Sequence, residues 1–176
     1  MAKTCLIAYA TKEGQTAKIS ARLKEHLLEQ EWLVDLVNLA EVGDSELPEY
    51  DLLIFGGSLH AGGLEKELVH FLKTQNIPQK KAHLFVVALT PATKDQELRE
   101  KGEKEIFEVI KELPINFASE TLFAGALRYS KYNWLVKMIM KKIAAKAGGD
   151  TDTSKDYEYT DWDKVKEYAE RVGREI

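Results

Sequence analysis

Hydrophobic positions along the chain follow two alternating rhythms. Short apolar, β-prone runs predict strands at 3–10, 33–39, 52–56, 83–89 and 121–127. Longer stretches with apolar residues every three or four positions predict helices at 15–30, 64–74, 95–112 and 162–172. In the first helix Ile19, Leu23 and Leu27 recur at four-residue spacing, and the charged third one stops before Pro114. The run 52–56 is apolar throughout, as suits a strand buried on both faces. Strands alternating with helices in this way predict an α/β fold, a doubly wound parallel sheet covered on both sides. Ligands then bind beyond the carboxyl ends of the strands, where the strand order reverses.

A chain of 176 residues with 44% hydrophobic and 31% charged residues is expected to form one domain over 1–176 with its own core. Its formal charge of −4 argues against general nucleic-acid binding. A single cysteine, Cys5, excludes an internal disulfide and any CxxC pair, and its apolar neighbours predict a buried small hydrophobe. That run is too short for a signal peptide, and no run approaches the roughly 18 apolar residues of a membrane span, so the cytoplasm is the expected compartment. His26, His70 and His83 lack ligand-spaced partners, which predicts structural or solvated roles and no metal. Asp150, Asp152 and Asp156 alternate in a loop without the glycine and closing glutamate of a calcium loop, and are expected to brace it.

The candidate chemistry lies in three loops. After the first strand come Thr11, Lys12, Glu13, Gly14, Gln15 and Thr16, a tight turn into a helix whose free N–H groups and dipole suit a phosphate. Neither GxxxxGK[ST] nor GxGxxG is present, so this is neither a nucleotide triphosphate loop nor a dinucleotide fingerprint. After the third strand, Ser58, Leu59, His60, Ala61 and Gly62 lie in a stretch with four glycines in eight residues, 56–63. Such a backbone can pass close to a flat ligand. After the fourth strand come Thr90, Pro91, Ala92 and Thr93. One phosphate loop and two ring-flanking loops are what FMN requires.

The first loop resembles the flavodoxin phosphate loop, T/S-x-T-G-x-T, with Glu13 in place of the hydroxyl at the third position. The stretches AGALRY (124–129), GGDTDT (148–153) and YTDW (159–162) are similar to the flavodoxin-like menaquinone-dependent protoporphyrinogen IX dehydrogenases. That resemblance covers nearly the whole chain. It implies a flavodoxin-like sheet of order 2-1-3-4-5 with an insertion of about 128–160 before the last helix, and a noncovalent FMN. Positions 11–16 would hold the phosphate, while 58–62 and 90–93 would flank the ring; Ala61 stands where that subfamily's loop carries an aromatic. It implies further an oxidoreductase of heme biosynthesis that takes electrons from a tetrapyrrole precursor and passes them to a quinone. No side chain is singled out as a general base, because a flavin carries the electrons and the protein supplies position and electrostatics. The alternative is a flavodoxin-like FMN electron carrier acting through redox partner proteins.

Charge changes the picture in one region. Residues 121–149 contain no acid but six basic residues, in a chain that is acidic as a whole. If 131–146 is helical, Tyr132, Val136, Ile139, Met140 and Ile143 share one arc, and the lysines take the other with Trp134, Leu135 and Met138. Three outcomes are open: the apolar arc packs on the sheet, the element docks on an anionic membrane through Arg128, Lys131, Trp134, Lys137, Lys141 and Lys142, or it binds RNA, which the acidic remainder of the chain opposes. The second would place the protein peripherally on the inner face of the cell membrane.

Overall fold

The computed structural model describes residues 2–42, 47–60 and 63–175. In chain order the elements are β1 (Thr4–Tyr9), α1 (Gln15–Leu28), β2 (Leu33–Asn38), β3 (Leu52–His60), β4 (Gly63–Leu64), α2 (Lys66–Thr74), β5 (Ala82–Ala88), α3 (Gln96–Lys111), β6 (Ser119–Ala124), β7 (Ala126–Leu127), α4 (Trp134–Lys146), β8 (Tyr157–Glu158) and α5 (Trp162–Arg174). Five parallel strands run in the order β2-β1-β3-β5-β6, the expected reversal beside the first strand. β4 is added antiparallel to the end of β3, and β7 and β8 form a separate antiparallel pair.

Side chains alternate across the sheet and divide the core in two. Cys5 and Ile7 of β1 join Ile19, Leu23 and Leu27 of α1 and Val165, Ala169 and Val172 of α5 on one face. Leu6 and Ala8 join Leu68 and Leu72 of α2 and Ile106 and Ile110 of α3 on the other. Cys5 is wholly buried, and burial pushes its thiol far above the usual range, so it behaves as the expected small hydrophobe.

Three boundaries differ from the sequence pattern, each for a local reason. β3 runs on through the glycines to His60, because its pairing with β5 continues to Ser58↔Val87 and it then turns back onto β4. Leu64 therefore belongs to β4, and α2 starts at Lys66. The fifth long strand ends at Ala124, since Gly125 donates to the Ala88 carbonyl, accepts from the Tyr159 N–H, and redirects the chain into β7.

The two glycines of β3 have a packing role that their clustering does not suggest. A Cβ on Gly56 would lie 2.2 Å from the Phe85 ring, and one on Gly57 would lie 2.6 Å from the tip of Leu68. Close packing inside the sheet requires these two small. Gly56→Ala is expected to lower the unfolding free energy by about 1–3 kcal/mol through overpacking against a wholly buried ring. Gly57→Ala, which meets only the movable end of a leucine, should cost less, as urea midpoints at unchanged slope would show.

Candidate functional site

The carboxyl ends of β1, β3 and β5 bring the three predicted loops to one edge of the sheet. In the first, Thr11 Oγ1 accepts from the Gly14 N–H at 3.0 Å and closes a tight turn. Gly14 takes φ +95°, a left-handed conformation that other residues adopt only with strain, and sets the direction of α1. No side chain caps α1, whereas Asp95, Asn133 and Asp161 cap α3, α4 and α5. Its first-turn N–H groups have no intrahelical acceptor. Thr16, in that turn, is wholly buried and its hydroxyl has no partner. Two other buried hydroxyls, Ser20 and Tyr168, share this condition, but both lie deeper in the helices. An anion at the head of α1 would satisfy both the N–H groups and Thr16.

The insertion is fastened to this loop. Tyr132 donates to the Glu13 carboxylate at 2.8 Å, and Lys131 Nζ donates to the Glu13 carbonyl at 2.8 Å. Arg128 donates to Gln15 Oε1 at 2.8 Å; Gln15 donates to Thr160 at 2.8 Å, and Thr160 to the Ala124 carbonyl at 2.7 Å. This relay ties the first turn of α1 to the end of β6. Arg128 also pairs with Glu158 at 3.6 Å and Asp156 at 4.0 Å. Lys12 stands exposed.

Ser58 and His60, at the end of β3, converge with Glu65. Ser58 donates to Glu65 Oε1 at 2.7 Å, and His60 Nε2 is 3.2 Å from both Ser58 Oγ and Glu65 Oε1. One ring nitrogen meets both partners, so the three cannot act as a nucleophile–base–acid relay, which needs the two nitrogens to serve different partners. Leu59 pairs with Leu64, and Ala61 and Gly62 lie outside the described residues. In the third loop Thr90, Pro91 and Ala92 form a short 3-10 turn, and the Thr93 carbonyl accepts from Arg99.

Sequence reasoning missed Tyr132, Thr160 and Glu65 as parts of this constellation. Tyr132 read as part of an apolar arc and Glu65 as part of a helix. No local signal links Glu13 to a partner 119 residues away.

α4 is held at both ends and little in between. Beyond Tyr132 at its start, Ala147 at its end accepts from the Lys94 N–H, just after the third loop. Ala144 is its only buried residue, in a small cluster with Leu127 and Tyr129, and Met140 is half-buried against that cluster, as are Leu89, Tyr157 and Tyr159. Val136, Ile139 and Ile143, expected on the packed arc, are exposed together with Trp134, Leu135 and Met138. The helix is turned so that small Ala144 meets the domain at Leu127 and Tyr129, and the Gly149 N–H closes the helix end onto the Ala144 carbonyl. Lys137 is half-buried, Lys141 and Lys142 face out, and Arg128 and Lys131 stand at the loop between β1 and α1 instead of out on the helix.

The acidic loop braces the insertion, as expected. Asp150 accepts from Tyr129 through its carbonyl and from Tyr159 through its carboxylate. Asp156 accepts from the Ser130 hydroxyl and N–H, which hold its carboxyl below the usual range. Among the described residues no group of His, Cys, Asp or Glu could hold a metal ion. His83 is buried against Ser119, and burial lowers its pKa. A recess of about 610 Å³ opens at the opposite end of the sheet beside Tyr50, Leu53 and Lys81, away from these loops.

Fold and loops together define an α/β protein whose three candidate loops meet at one end of a parallel sheet, beside the uncapped head of its first helix. A flavodoxin domain model matches residues 6–154, and the chain belongs to that family, which implies a flavin cofactor. Protoporphyrinogen IX dehydrogenase (quinone) of Escherichia coli strain K12 is 28% identical over 172 residues, covering 95% of this chain and 93% of that protein. A protein of the same name from Leishmania major is 25% identical over 173 residues, 94% of this chain and 72% of that one. Among solved structures, oxidised flavodoxin 1 from Bacillus cereus superposes with a TM-score of 0.59 at 12% identity, covering 99% of each chain. The flavodoxin of Streptococcus pneumoniae TIGR4 also gives 0.59, at 16% identity over 98% of this chain and 99% of its own.

Replacing Thr16 by valine separates structure from binding. Without a ligand the variant is expected to equal or exceed the parent in stability, by up to about 1 kcal/mol, because a buried unpartnered hydroxyl is removed. Flavin binding should weaken, and urea unfolding with and without flavin reads both effects.

Proposed function

We propose that the protein is an FMN-dependent oxidoreductase that oxidises protoporphyrinogen IX to protoporphyrin IX and delivers the electrons to a menaquinone-type quinone, in heme biosynthesis. The observation that carries this reading is the uncapped head of α1 with its unpartnered Thr16 hydroxyl, inside a chain similar over nearly its whole length to dehydrogenases of that name. One phosphate cradle and no dinucleotide fingerprint favour FMN over a dinucleotide.

Residues 11–16 would hold the phosphate through N–H groups and the Thr16 hydroxyl. Residues 58–62 and 90–93 would border the ring. The bound flavin supplies the electron transfer. Ser58, His60 and Glu65 hold one another in place at the border of the ring site, and His60 and Glu65 offer protonatable groups there. The hydrogens leaving the tetrapyrrole end on the quinone, which becomes the quinol.

A lipid-soluble acceptor suits the exposed helix. Trp134 is 76% exposed, and Ile139 and Ile143 are 50% exposed, beside the outward Lys141 and Lys142. An amphipathic basic helix of this kind lies on an anionic bilayer with its apolar side chains at headgroup depth, and each basic residue near the surface adds about 1 kcal/mol. No helix among the described residues is long and apolar enough to cross a membrane, so the contact is peripheral.

Two experiments test the reading. The purified protein is expected to release FMN, and with FMN bound to reduce a soluble menaquinone analogue when given protoporphyrinogen anaerobically. Absence of turnover, with fast electron transfer to a protein partner, would establish a carrier instead. Separately, the protein should co-sediment with phosphatidylglycerol-containing vesicles at low salt and leave them as salt rises. Neutralising Lys141 and Lys142 together with Trp134→Ala should abolish retention; a variant that still sediments would remove α4 from the docking surface.

A further inference from the structure

We propose that Lys131 is a cationic anchor for the cofactor's phosphate, supplied by the insertion and not by the phosphate loop; this rests on the FMN reading above. Its ammonium donates to the Glu13 carbonyl at 2.8 Å and lies 3.8 Å from where a Cβ on Gly14 would stand. That is the turn that opens into the free N–H groups of α1 and the unpartnered, wholly buried Thr16 hydroxyl. Among the described residues no carboxylate lies within ion-pair distance of Lys131, which acts on Asp156 only at longer range, whereas Arg128, the other insertion cation at this loop, is committed to Glu158, Asp156 and Gln15.

The need for such a charge comes from the loop itself. Glu13 places a carboxylate one residue before the glycine of the phosphate turn, and like charge repels a phosphate dianion. Tyr132 gives that carboxylate a fixed partner at 2.8 Å, and burial together with Glu13 pushes the phenol far up, so it stays the donor. Two consecutive insertion residues therefore manage one loop residue. Tyr132 holds the carboxylate, and Lys131 restores the positive potential that the carboxylate removes.

Flavin binding, followed by fluorescence quenching, tests this with two probes that share a ring: FMN and riboflavin, which has no phosphate. Lys131→Met keeps the stem and removes the charge. It is expected to weaken FMN about tenfold or more, the scale of a charge-assisted contact, and to leave riboflavin within about twofold. Lys131→Arg should stay close to the parent for both. The proposal is overturned by equal losses for the two flavins, by unchanged FMN affinity in the Met variant, or by an Arg variant as weak as the Met variant. A parent protein that binds neither flavin would instead sink the FMN reading while leaving the fold intact.

Discussion

The amino end of α1 is the constraint around which the rest is arranged. A helix start must find acceptors for its first N–H groups, from a side chain, solvent or a ligand. Here the N-cap is Gly14, which offers none, and the adjoining Thr16 hydroxyl is buried without a partner. The position is fixed by the core: Ile19, Leu23 and Leu27 lock α1 against β1 and α5, so it cannot slide to find a better cap. Donors held rigidly in a site with little water are what bind an anion strongly, because no reorganisation is needed when it arrives.

Around that fixed point the insertion divides its positive charge between two tasks. Arg128 and Lys131 turn inward, one stiffening Gln15 and the other meeting the phosphate turn. Lys141 and Lys142 turn outward among exposed apolar side chains. A basic cluster that looks uniform along the chain is thus two clusters in space. The separation follows from the 3-10 turn at Tyr129–Lys131, which ends before α4 begins and points its residues back at the loop. Wholly buried Tyr129, bonded to the Asp150 carbonyl, anchors that turn.

Much of the architecture was legible in the sequence because β3 and β5 are buried on both faces and read as unbroken apolar runs. The strand order followed from the resemblance, and the loops fell where the switch point requires. What escaped was long-range or steric. The glycines at 56 and 57 look like a loop, and only the Phe85 ring and the Leu68 side chain opposite them show why they lie within a strand. The rotation of α4 buries one alanine against Leu127 and Tyr129 and turns the larger apolar side chains outward, which the apolar pattern does not suggest. The tie between Glu13 and Tyr132 has no trace in any local pattern.

A carboxylate in a phosphate loop is at first sight a fault, since the same position could carry a hydroxyl. Its place in the structure gives it a purpose. Glu13 is the loop's handle for the insertion: its side chain takes the Tyr132 hydroxyl and its carbonyl takes Lys131. A serine or threonine hydroxyl is shorter and uncharged, and would bind that phenol less strongly than an ionised acceptor does. The electrostatic cost would fall on a bound phosphate, where the neighbouring Lys131 would offset it. The loop's departure from the flavodoxin pattern and the presence of the insertion are therefore one feature. Either alone would be unfavourable, the carboxylate because it would repel the ligand and the insertion because α4 would lose its side-chain tie to the loop through Tyr132.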